Sequence, residues 1–245
     1  MCCLNVSSGH KRILVAAPIA IFVAGVPLIA RAEKDPHRLA CTNAHCRKVK
    51  SFVKAHYCGA SPFANGPDDG CEIRAPKKPQ ADVEVIAAYN CGWNDSKQAM
   101  ECEQKGQPSP STRAILIREL QRLGLPANTK GQTFFTVWNS ISSGRSLAEA
   151  YYSRSVGTDI ELCQVIVIID HSSHVVVLRN VPFQKTDADV PTVTQWSPID
   201  LADVDDDGQV DIILEGDAYE NHWLEVVSVH DGVPKTIFSG LGFYL

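Results

Sequence analysis

Residues 203–211 read DVDDDGQVD, with five aspartates, one glycine and no positive charge. Carboxylates at alternate positions of a short loop can turn inward together and offer hard oxygen ligands. Ca²⁺ takes six to eight such oxygens at about 2.3–2.6 Å. Asp203, Asp205 and Asp207 occupy positions 1, 3 and 5, Gly208 position 6 where the chain must turn sharply, Gln209 position 7 and Asp211 position 9. Gln209 can offer its carbonyl oxygen. Asp206 falls out of phase and is expected to face solvent. Packed this closely, the carboxylates repel one another unless a cation neutralises them. The competing reading is a solvated acidic turn, since Asp and Gly are common turn residues.

An EF-hand would place a bidentate Glu at position 12 and helices on both flanks. Position 12 is Leu214, Glu215 comes one residue late, and the flanks SPIDLADV and VDIILEG are β-rich. The pattern D-x-D-x-D-G-x-x-D between two strands instead resembles the calcium loop of FG-GAP and VCBS-type repeats, over about residues 195–230. The resemblance implies a β-hairpin holding Ca²⁺, with Asp203, Asp205, Asp207 and Asp211 as side-chain ligands and Gln209 as a backbone ligand. Those repeats come in several copies that build a propeller, whereas one copy is present here, so the loop carries over and the propeller does not. Binding in the ~10⁻⁴–10⁻³ M range of extracellular modules is expected, with a structural role. The chain as a whole resembles small secreted bacterial proteins.

Other groups suggest chemistry less directly. DHSSH places Asp170, His171 and His174 in one turn, where two imidazoles and a carboxylate suit zinc or copper. Ser172 or Ser173 could pair with a histidine there, but a polar hairpin tip needs no third ligand. Asp217, Glu220 and His222 in GDAYENHW form a second polar loop, which could supply a pair of carboxylates or help complete the cation site. These two groups define the alternative function, an exported hydrolase or metalloenzyme. His56 lies two residues before Cys58, yet a thiolate nucleophile requires a free cysteine. No phosphate-binding glycine loop is present. NDS at Asn94 is a glycosylation sequon, relevant only in a eukaryotic host.

The N-terminal residues bear on compartment. HKR at 10–12 precedes 18 uncharged residues at 13–30, and Ala30-Arg31-Ala32 follows. That order predicts a signal peptide over residues 1–32, cleaved near Ala32. The same stretch is just long enough for an N-terminal anchor. Either way the remainder is expected to be exported: secreted, periplasmic or on the cell envelope. Beyond residue 32, seven cysteines remain. In an oxidising compartment six of them, Cys41, Cys46, Cys58, Cys71, Cys91 and Cys102, are disulfide candidates. Local pairing (Cys41 with Cys46, Cys58 with Cys71, Cys91 with Cys102) is the simplest of fifteen connectivities. Only Cys41 and Cys46 are close enough for zinc-type spacing. Cys163, alone in the apolar run ELCQVIVIID, reads as a buried free thiol.

Charge is uneven. Residues 181–245 hold 13 Asp/Glu against Lys185 and Lys235, net −11, whereas residues 33–180 hold 18 Lys/Arg and 15 Asp/Glu, net +3. The acidic quarter excludes nucleic acid as its partner and favours a cation. A protein or glycan partner is expected; a membrane enters only if residues 1–32 are retained.

Residues 33–80 are predicted to be a Cys-rich helical region, with Val49, Phe52, Val53 and Tyr57 at helical spacing. Residues 81–158 read as mixed: a strand from Asp82, a polar loop over KQAMECEQKGQPSPS, a helix over 111–124 capped by Ser111, a strand in QTFFTVWNS, and two helical turns in SLAEAYYSR. The helix presents Ile115, Leu116, Leu120 and Leu123 on one face and ends at Gly124. Residues 159–245 read as an antiparallel sheet carrying the loop 203–211. The fold class expected is α+β: a disulfide-bonded N-terminal helical part and a mainly antiparallel β-meander in the C-terminal half.

Overall fold

The computed structural model describes residues 43–59, 72–74, 76, 82–94, 99–140, 144–187, 193–218 and 221–240. The chain divides into two compact units, Met1–Lys34 and Asp35–Leu245, and all described residues belong to the second. Residues 1–32, Cys41, Cys71 and Glu220 lie outside the described residues, and with them the expectations for a signal peptide and for two disulfide partners.

Helix α1 (Ala44–Tyr57) begins where Asn43 Oδ1 accepts the Cys46 N–H at 2.8 Å, a cap for an otherwise orphaned donor. Cys46, Val49, Val53 and Tyr57 recur every three or four residues and are buried on one face. Two short strands follow, β1 (Cys58–Gly59) and β2 (Glu72–Ile73), paired with each other. Then come β3 (Val83–Asn94), β4 (Ala99–Gly106), α2 (Pro110–Arg122), β5 (Gln132–Ser140), β6 (Ser146–Val156), β7 (Asp159–Ile169) and β8 (Val175–Asp187). These six strands form one antiparallel sheet in the order β4-β3-β5-β6-β7-β8. The last four strands, β9 (Gln195–Ala202), β10 (Asp211–Ala218), β11 (Asn221–His230) and β12 (Val233–Gly240), form a second antiparallel sheet in simple meander order.

Side-chain alternation stacks these parts in four layers. On β7, Cys163, Val165, Val167 and Ile169 face α2, packing with Leu116 and Leu120. The intervening Ile166 and Ile168 face the other way, against Leu201, Ile212, Leu214, Val227 and Val229 of the smaller sheet. Ile213, Leu224, Val226 and Phe238 then line the outer face of that sheet and receive α1. The order is therefore α2, six-stranded sheet, four-stranded sheet, α1. The central strands β5, β6 and β7 of the larger sheet and β10 and β11 of the smaller are buried on both faces along most of their length, which a period-two polar alternation does not anticipate.

The mainly antiparallel sheet and the helices agree with the expected class, but the β structure starts at Val83 and is not confined to the C-terminal half. Strands β7 and β8, in 159–245, complete the same sheet as β3–β6, in 81–158. Two local expectations are corrected. The polar stretch read as loop contains β4, an edge strand paired on one side only, which needs little apolar surface. SLAEAYYSR is not helical but forms most of β6, a central strand in which residues 147–152 are all buried. There, burial on two faces overrides the helix propensity of Ala, Leu and Glu. The cap of α2 is Ser109, not Ser111: its Oγ accepts the Thr112 N–H at 3.1 Å, and Pro110 opens the first turn.

Candidate cation site

Strands β9 and β10 pair so that Ala202 sits opposite Asp211, and residues 203–210 close the turn between them. The carboxylates of Asp203, Asp205 and Asp211 converge, each offering an oxygen within 4.8 Å of the others. Oxygens bound to one Ca²⁺ at about 2.3–2.6 Å lie no more than about 5 Å apart, so the group fits a shared ion of that size. Asp211 is the inner member, 1 % exposed at the start of β10. Burial pushes its carboxyl up to about 6, and the negative charges of Asp205 and Asp207 add to this, while hydrogen bonds from Ser228 and the Val204 N–H oppose it.

The loop's own amides shape it. Asp203 accepts the N–H groups of Asp207 at 3.1 Å and Gly208 at 2.9 Å, and Asp205 accepts that of Asp207 at 3.2 Å. Asp206 (φ 57°) and Gly208 (φ 83°) take left-handed conformations, which is why glycine suits position 6. Asp206 points to solvent at 78 % exposure, as its phase predicts. The Asp207 carboxylate does not join the converging group. Asp207 Oδ1 accepts the Gln209 N–H at 2.7 Å, and its other oxygen lies 3.5 Å from His230 Nε2. Of the four side-chain ligands the resemblance implies, three are brought together.

Three basic residues that sequence reasoning did not connect to the loop stand around it: His230, His45 and Lys48. His45 Nε2 lies 3.5 Å from Asp205 Oδ2. Lys48 Nζ lies 2.5 Å from Asp206 Oδ2 and donates to the Asp205 carbonyl at 2.6 Å. His45 and Lys48 come from α1, which carries no acidic residue; that imbalance beside an acidic C-terminal quarter was the available signal. Helix α1 is held in place by a buried bond from Tyr57 Oη to Asp200 Oδ2 at 2.7 Å.

The other candidate groups are arranged differently. In the β7–β8 turn, Asp170 Oδ1 accepts from the Ser172 N–H, the Ser172 hydroxyl and the His174 N–H at 2.9, 2.6 and 2.9 Å. The Ser172 bond, then that from His174, holds the Asp170 carboxyl below its ordinary value. The carboxylate thus spends one oxygen capping its own turn. Asp217 and His222 face each other across β10 and β11, and His222 Nδ1 lies 3.6 Å from Asp217 and 3.7 Å from Glu215. The Glu215 contact raises the imidazole, and burial raises Asp217. Asp217 is six residues along β10 from Asp211, about 20 Å at the rise of a strand, so this pair does not complete the site at 203–211.

Cys91 and Cys102 are joined, directly opposite in the β3–β4 register, as local pairing predicts. Cys46 and Cys58 each take part in a disulfide as well. Cys163 is a buried free thiol beneath α2, pushed up to about 12 by burial. Among the described residues no helix is long and apolar enough to cross a membrane. No family model matches the chain, and neither a curated protein nor a solved structure matches it.

Proposed function

We propose that the protein is an exported, non-enzymatic calcium-binding module in which Ca²⁺ pins the β9–β10 hairpin. The single observation that supports this is the convergence of Asp203, Asp205 and buried Asp211 on one point. In this reading the three carboxylates are side-chain ligands, and the Asp207 side chain or the Gln209 carbonyl completes the oxygen shell, as in the FG-GAP and VCBS-type loop that the sequence resembles. The ion removes the mutual repulsion of the cluster and compensates the burial of Asp211. Its role is structural, and the outer surface is left for contact with a protein, a glycan or the envelope. The disulfides at Cys46, at Cys58 and between Cys91 and Cys102 are consistent with an oxidising compartment. Titration calorimetry with Ca²⁺ tests the reading. One site with Kd of about 10⁻⁴–10⁻³ M, absent in Asp211→Asn, is expected. No binding heat up to about 10 mM Ca²⁺, ten times the weak end of that range, would refute it.

A further inference from the structure

The seam between the two sheets contains a polar group that calcium binding leaves unexplained. Glu149, in the middle of β6, is 1 % exposed and faces the smaller sheet. Its Oε1 accepts from Tyr89 Oη at 2.8 Å and from Gln164 Nε2 at 2.7 Å, and it also bonds the Thr136 hydroxyl. Gln164, on β7, reaches across the seam. Its Nε2 donates to the Trp196 carbonyl at 2.5 Å and its Oε1 accepts the Trp196 N–H at 2.9 Å. A side-chain amide of one sheet thus bonds both main-chain groups of a β9 residue in the other, as a strand neighbour would. Glu149 fixes that amide by taking its second proton.

Among the described residues no positive charge is committed to Glu149. The titratable groups facing it are Tyr89 from β3 and Tyr151 from its own strand, and their hydroxyls are pushed up by burial and by the Glu149 charge. From β5 it meets Thr136, and from β7 Gln164. Arg179 of β8, which stacks over Trp196, is bonded to Glu225 of β11 and to Thr236. A carboxylate with hydrogen bonds but no counter-charge is costly in such a layer, whereas the neutral acid can donate to Thr136 and still accept from Tyr89 and Gln164.

We propose that Glu149 makes the seam a proton-controlled joint: as the neutral acid it sits closed in the network that holds Gln164 against the Trp196 main chain, and once ionised its buried, uncompensated charge favours opening to solvent, which separates that end of β9 from β7. Burial pushes the carboxyl up to about 7 against hydrogen bonds that pull it down. An acid raised in the folded state stabilises it fully below its unfolded value, and that contribution is lost as pH rises to the folded value. The window is therefore about pH 4.5 to 7.

The test is amide hydrogen exchange at Trp196 in the full chain, metal-free, between pH 5 and 8 and corrected for intrinsic base catalysis. Wild type is compared with Glu149→Gln, because Asp211 titrates in the same range and would affect both proteins equally. The opening constant at Trp196 is expected to rise about 40-fold from pH 5 to 7, then only about twofold more by pH 8, and to stay flat in the variant. Equal pH profiles in the two proteins would overturn the proposal. Should the variant fail to fold, carbon-detected NMR titration of the wild-type Glu149 carboxyl decides: a midpoint near 7 supports the joint, and one below about 5 overturns it.

Discussion

Replacing Tyr57 by Phe isolates the bond that docks α1. The ring is fully buried in the cluster of Val49, Val53, Ile213 and Leu224, and its hydroxyl donates to buried Asp200 Oδ2 at 2.7 Å. Burial, then the bond to Asp200 and that residue's negative charge, holds the hydroxyl protonated well above its ordinary range. The substitution leaves the ring in place and opens no large cavity, so the loss is that of one hydrogen bond to a charged group, about 1.5–3 kcal/mol. Taking about 2 kcal/mol, Tm should fall by about 4–8 °C for a domain of this size. Thermal melts followed by circular dichroism, completed as a double-mutant cycle with Asp200→Asn, should give a coupling of at least about 1 kcal/mol. A loss below about 0.5 kcal/mol, or strictly additive effects, would refute the claim that this contact anchors the helix bearing His45 and Lys48.

Gly216 sits where an added Cβ would lie 2.5 Å from Trp223 Cε2 and 3.0 Å from Trp196 Cζ3. Gly216→Ala should therefore force apart the edge-on Trp196–Trp223 pair, costing about 1–3 kcal/mol in urea unfolding and shifting tryptophan fluorescence. Leu120→Ala removes a fully buried side chain between α2 and the larger sheet and should cost about 2–5 kcal/mol by the same assay. The effect of Ca²⁺ should depend on pH through Asp211, whose carboxyl is raised to about 6. Without the ion, that residue's contribution to stability is full below its unfolded value and lost as pH rises through about 6. Ca²⁺ requires the ionised form, so the Ca²⁺-induced rise in Tm should be larger at pH 7.5 than at pH 5.

The hairpins of the smaller sheet were legible in the sequence because turn residues punctuate them and each strand is short. The loop was legible for the same reason: ligand spacing is a local property. Asp207 shows the limit of spacing, since its phase matches Asp203 and Asp205 while its carboxylate bonds Gln209 and approaches His230. Glu149 was hidden because SLAEAYYSR has helical propensity, and only the pairing of β6 with β5 and β7 reveals it as a doubly buried strand. The approach of His45 and Lys48 to the loop rests on contacts between residues 157 or more apart in the chain, which no local pattern encodes. Stacking of two sheets with a helix on each outer face is set by the same long-range burial.

The central claim is most directly tested by a thermal melt of the protein in EDTA and in about 2 mM Ca²⁺, beside Asp205→Ala. With Kd of about 0.1 mM, binding stabilises the fold by roughly 1.8 kcal/mol, so Tm should rise by about 4–7 °C, and the rise should vanish in the variant. A wild-type Tm that does not move at about 2 mM or at 10 mM, concentrations well above that Kd, would contradict the account and leave residues 203–211 a solvated acidic turn.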